Sequence, residues 1–175
     1  MIYYNSRDIS FKLEINIAKW KRWSRDFLPP DPLGGLQSGV ARQFNLRDVF
    51  KTFFGGYLVG ELKFTIPEAI QILSDLSPWL KKNGFYELQP KINPFQDGKD
   101  RSTYIYIHSA ENRQFTYCAR TILGGIQSNP EGNYQQIFTQ TLIGTASDPF
   151  AAGQSLSATV IAINTLYDDM LRRIG

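Results

Sequence analysis

The 175-residue sequence holds one cysteine, Cys118, and one histidine, His108. A single thiol closes no intrachain disulfide, so a reducing cytoplasm is the expected setting. One Cys and one His on different predicted strands make no metal-binding cluster. They also leave a Ser-His-acid triad with nothing in the spacing to assemble it. Long apolar runs are missing too: none reaches the roughly 18–20 residues that a membrane helix needs. The opening MIYYNSRDISF has no basic-then-apolar pattern of a signal peptide. The paired glycines at Gly34-Gly35, Gly55-Gly56 and Gly124-Gly125 lack both the GxGxxG spacing and the Lys-Ser/Thr partner of a phosphate-cradling loop. The expectation is a chain with no cofactor, no metal, no membrane partner and no enzymatic activity.

What the sequence does have is aromatic bulk. Twelve Phe, nine Tyr and three Trp, in a chain that is 42% hydrophobic and 20% charged, can build a core without disulfides or metal. The net charge is only +3, but it is unevenly placed. From Met1 to Lys63 there are ten Lys and Arg against six acids, a balance of +4; from Phe64 to Gly175 there are nine against ten, or −1. The front third is where an anionic partner would dock.

The spacing of apolar residues predicts four helices at the front. Ser6 and Asp8 open the first, over about 7–13, with Ile9 and Leu13 as its stripe. Asn16 is the cap of a second, Ile17 to Phe27, where Ile17, Trp20, Ser24 and Phe27 share one face. Pro29, Pro30 and Pro32 end it. Leu33 to Phe44, rich in glycine, reads as a small hairpin. A third helix starts near Asn45, with Asp48 in a capping position, and stops at Gly55-Gly56. Thr65, Pro67 and Glu68 open a fourth, with Ile66, Ile70, Leu73 and Leu76 as its stripe and Asn83-Gly84 as its end.

The period then changes from helical to alternating. Phe85 to Ile92, Arg101 to Ser109, Phe115 to Leu123 and Tyr134 to Ile143 read as strands of a small sheet of antiparallel hairpins. Ser155 to Ile174 closes the chain as an amphipathic helix, with Leu156, Val160, Ile163, Tyr167, Met170 and Ile174 on one side. Tyr104, Tyr106, Phe115, Tyr117, Tyr134 and Phe138 fit either the wall of a small-molecule effector pocket or ordinary cross-strand packing, and packing is favoured.

A short helix, a tight turn and a second, basic helix form the minimal reader of a DNA major groove. Lys19, Lys21, Arg22 and Arg25 lie off the apolar face of that second helix, and Arg42 sits where a wing would touch phosphates. The segment Ser6 to Leu28, ending KRWSRDFLPP, resembles the helix-turn-helix of the MerR family of bacterial regulators. ARQFNLRDVF is similar to that family's wing strand and the capped helix after it, and KFTIPEAIQIL to its next helix. The resemblance covers about Tyr4 to Leu76. It implies a winged helix-turn-helix that binds double-stranded DNA through Lys19, Lys21, Arg22, Arg25 and Arg42. Pro29 to Val40 is longer than a compact wing, and the family's long dimerising helix is absent after Leu80.

The expected architecture is therefore α+β. Residues 1–82 form a winged helix-turn-helix, and residues 83–175 a small antiparallel β-sheet unit with a long C-terminal helix, for dimerisation or effector binding. The expected function is transcriptional regulation by a homodimer. An excisionase-like DNA-bending protein and a protein-binding adaptor on the same scaffold are the alternatives.

Overall fold

The computed structural model describes residues 2–31, 41–88, 102–109, 114–124, 126–144, 148–150 and 157–175. They fold as two compact units, Met1–Gln89 with Asp168–Gly175, and Pro90–Tyr167. Helices and antiparallel strands are mixed, so the chain is α+β. Among the described residues no helix is long and apolar enough to cross a membrane.

The first unit runs β1 (Tyr4–Asn5), α1 (Ser6–Lys12), α2 (Ile17–Phe27), β2 (Gln43–Phe44), α3 (Leu46–Gly60) and α4 (Ile66–Lys82). Each of these helices opens on a side chain that takes up amides otherwise left without a partner. For α1 the cap is Asn5, not the expected Ser6: its carboxamide oxygen accepts from the amides of Arg7 and Asp8, both at 2.9 Å. Asn16 does the same for Ala18 and Lys19 at the start of α2, and Asn45 accepts from Asp48 at α3. Thr65 and Glu68 form a reciprocal capping box on α4. The turn between α1 and α2 passes through Glu14, which adopts a φ of 56°.

Two expectations fail here for a shared reason. Gly55-Gly56 does not end α3, which continues to Gly60. A Cβ at Gly55 would lie 2.6 Å from the ring of Phe27, and one at Gly56 would lie 2.3 Å from the ring of Trp23. The glycines let α3 approach the aromatic face of α2; they are packing residues, not a stop. In α4 the buried stripe is Ala69, Ile72, Leu73, Leu76 and Leu80, while Ile70 is 44% exposed. Leu73 and Leu76 are buried as expected, and tertiary packing turns Ile70 outward in favour of Ala69 and Ile72.

β2 pairs antiparallel with β1, Tyr4 opposite Phe44 and Asn5 opposite Gln43. Most of the expected hairpin from Leu33 to Phe44 lies outside the described residues. The strand expected from Phe85 is instead a turn after α4 over residues 85–88: the Phe85 amide donates to the Leu80 carbonyl at 3.0 Å, and its side chain is buried. Residues 89–92 lie outside the description.

The second unit holds β3 (Thr103–Ser109), β4 (Phe115–Ile122), β5 (Gln127–Ser128), β6 (Tyr134–Gln135), β7 (Phe138–Ile143) and β8 (Ser157–Ala162). A four-stranded antiparallel sheet has the order β7-β4-β3-β8, and β5 and β6 form a separate ribbon. The helix expected from Ser155 begins only at Ile163 as α5 (Ile163–Ile174). Ser157–Ala162 is an edge strand, its Ile161 opposite Ile105 of β3. Leu156 lies outside the described residues, and Val160 is exposed on the strand.

Within α5, Ile163, Tyr167, Met170 and Ile174 are buried in the single chain. The helical part of the expected apolar stripe is thus covered within one chain. The last turns of α5 belong to the first unit, where the Lys12 ammonium donates to the Ile174 carbonyl at 2.7 Å and Arg173 meets Glu14 at 3.7 Å.

Candidate nucleic-acid interface

α2 separates an apolar face from a basic one. Trp20, Trp23, Ser24 and Phe27 are buried against the rest of the first unit. Trp20 meets Phe44 of β2 edge-on, ring centroids 5.6 Å apart, which ties the strand to the helix. Both tryptophans therefore pack the core, and the surface of α2 is left to its polar residues.

The exposed side of α2 forms one wall of a groove of about 1090 Å³. The start of α1 (Asn5, Ser6, Arg7) and the segment Ala41 to Phe44 supply other walls, and Leu28, Pro29, Pro30 and Asp31 also line it. Among the described residues, four cations, Arg7, Lys21, Arg25 and Arg42, face this groove with one acid, Asp31. Such a cavity has a positive field that favours an anion with regularly spaced charges.

The five cations expected from the sequence separate into two groups. Lys21, Arg25 and Arg42 come together on the groove. Arg42 is held there: its guanidinium donates to the Pro29 carbonyl at 2.9 Å and lies over the Phe44 ring at 5.5 Å. Arg22 is off the groove, with its Nε 3.9 Å from the Asp26 carboxylate and its side chain 62% exposed. An ion pair that long and that wet is weak. Lys19 points elsewhere, with its ammonium 4.8 Å from the Trp23 ring centroid beside a smaller depression of about 330 Å³ that Glu14 and Glu61 also line.

Arg7 was missed by the sequence reading. Its only signal is its place just after the Asn5 cap, and nothing local says that β1–β2 pairing brings this end of α1 beside α2. Asn16 satisfies the Ala18 amide at 2.9 Å and the Lys19 amide at 3.3 Å, so the start of α2 presents side chains more than free amides.

The second unit carries a different cluster. Tyr106, Cys118, Arg120 and Gln140 fall on one face of the sheet by register. The Arg120 guanidinium carbon lies 4.9 Å from the Tyr106 ring centroid, 4.6 Å from that of Phe138 and 3.7 Å from that of Phe150. Its Nε donates to Gln140 at 2.9 Å, and Gln140 donates to Asp148 at 3.1 Å. The cation is stacked and hydrogen-bonded by its own sheet and the adjoining Phe150, which makes it a packing element.

Cys118 and His108 are both buried, with Sγ and Nε2 3.8 Å apart, so the pairing of β3 with β4 joins two residues that the sequence left separate. Burial pushes the thiol up to about 11, and burial together with Arg120 holds the imidazole below its ordinary value. A nucleophilic pair needs the opposite shifts, a thiolate beside an imidazolium. No third Cys, His, Asp or Glu completes a metal-binding group with them among the described residues.

No protein-family model, curated protein or solved structure matches the chain.

Proposed function

We propose that the first unit is a winged helix-turn-helix resembling that of the MerR family, and that the protein is a cytoplasmic transcriptional regulator that binds duplex DNA. One observation carries the reading: the exposed side of α2 opens onto a groove rimmed by Arg7, Lys21, Arg25 and Arg42, with Asp31 the one acid among the described residues. A helix with its apolar face anchored and its basic face free fits the width of a major groove. Arg42, pinned beside β2, and Arg7, at the start of α1, flank α2 where backbone phosphates pass on either side of an inserted helix.

One such unit covers few base pairs, so the reading includes a homodimer on two half-sites. It leaves the second unit the assembly or effector role.

Fluorescence anisotropy on labelled duplexes over a salt series tests the proposal. With four phosphate contacts per unit, the logarithm of the affinity should fall against the logarithm of salt with a slope of about −3 to −4 for each bound copy. Replacing Lys21 and Arg25 together by Ala should weaken binding more than about tenfold, since each contact is typically worth on the order of 1–3 kcal/mol. Both side chains are exposed, so circular dichroism should show an unchanged fold. Binding that ignores salt, or a folded double variant that binds like wild type, would remove α2 as the reader.

A further inference from the structure

The basic face of α2 is not uniformly basic. Its first turn carries Ile17 and Ala18, both exposed and both lining the same groove as Lys21 and Arg25. The sequence places Ile17 on the buried stripe with Trp20 and Phe27, yet it is 38% exposed while those two are covered. The Asn16 cap occupies the amides of Ala18 and Lys19, so an anion gains little at this end of the helix and side-chain chemistry decides what binds. That chemistry is apolar for one turn and cationic for the next two.

The residues Ile17, Lys21 and Arg25 are four apart, which sets successive positions roughly 6 Å along the helix on one side. Where a reading helix enters a major groove, its N-terminal residues meet base edges and its later residues approach the backbone. The apolar group that a major groove offers is the C5-methyl of thymine.

We propose that Ile17 and Ala18 are specificity-determining residues that pack on thymine C5-methyl groups, next to a base or phosphate contact from Lys21. This rests on the duplex-binding reading of the groove and adds to it a sequence preference and the atoms that supply it. The cations fix where the helix lies, while the first turn selects thymine-bearing steps.

The probe is a set of duplexes selected from random sequence by the full chain, remade with deoxyuridine in place of thymine at one position at a time. Deoxyuridine keeps the base-pair hydrogen bonds and removes only the methyl group. Burying one such group is worth about threefold to fivefold in affinity. Wild type should lose that factor at the one or two positions facing the first turn, and nothing elsewhere. The exposed-site substitutions Ile17→Ser and Ala18→Gly should bind thymine and deoxyuridine duplexes equally while keeping the salt dependence. Wild type that binds every deoxyuridine duplex as tightly as its thymine parent, with the salt slope intact, overturns this inference and leaves the DNA reading standing. Variants that still discriminate overturn the assignment to these two residues. A selection that retains no duplex at any salt overturns the DNA reading and this inference with it.

Discussion

At 3.8 Å, Cys118 and His108 are close enough for a thiolate–imidazolium pair, and the surroundings hold both neutral instead. The consequence is a pH dependence of stability with a definite sign. His108 has its folded value depressed below 6.5, by burial first and by Arg120 second, with Asp148 acting weakly the other way. Below about pH 6.5 the unfolded chain takes up a proton that the folded chain refuses, so acidification favours unfolding. Above that value both states are neutral and the effect vanishes. Urea denaturation should therefore show stability falling as the pH drops from about 6.5, by at most about 1.4 kcal/mol per unit from this group. His108→Gln, which keeps a polar side chain without the titration, should flatten that slope. An unchanged slope would place the proton uptake on other groups.

The helices show how much of the fold was legible and where local signals stopped. α2 was readable to the residue, because Asn16 caps it and a run of prolines follows it. α4 was readable at its start through the capping box and at Leu73 and Leu76, but not at Ile70, since Ile70 and Ile72 are equally apolar and only the neighbours choose between them. The double glycine in α3 carried the wrong message for a physical reason: the lack of a Cβ serves a helix end and a close helix approach alike. Ser157–Ala162 was lost to the helix because Val160 and Ile163 also fit a helical step, and the pairing with β3 that decides the matter is remote in sequence. Of the candidate site, Lys21, Arg25 and Arg42 were legible as cations on a helix and just before a short strand. Arg7 was not, since its relevance depends on how β1 and β2 pair. The α2–α3 approach gives a test at this scale. Gly56→Ala gains helix propensity of about 1 kcal/mol, yet it drives a methyl group into the buried Trp23 ring. Such overpacking costs about 1–3 kcal/mol. A net loss of stability on thermal or urea unfolding is expected, with the Trp fluorescence altered; a stabilised protein would mean that the two helices part easily.

For the molecule as a whole, the charge asymmetry of the sequence corresponds to a real concentration of cations on one groove of the first unit. Of the C-terminal apolar stripe, Tyr167, Met170 and Ile174 are covered within one chain, while Val160 is exposed. A homodimer that does not use this stripe should survive changes to α5 that leave the fold intact. Sedimentation of the intact protein with a duplex carrying two half-sites should give two copies per duplex. One copy per duplex at every protein concentration, with no cooperativity, would end the two-half-site reading.

The bond from Lys12 to the Ile174 carbonyl spans 162 residues of chain. At about 5–20 residues per second of synthesis, roughly 8–30 s separate the emergence of its two ends from the ribosome. During that interval α1 exists without the segment that Lys12 bonds to, and the whole second unit is made in between. A nascent chain of this protein therefore carries its basic helices before the first unit is complete. Residues 168–175, made after the whole second unit, are among those that finish the first unit.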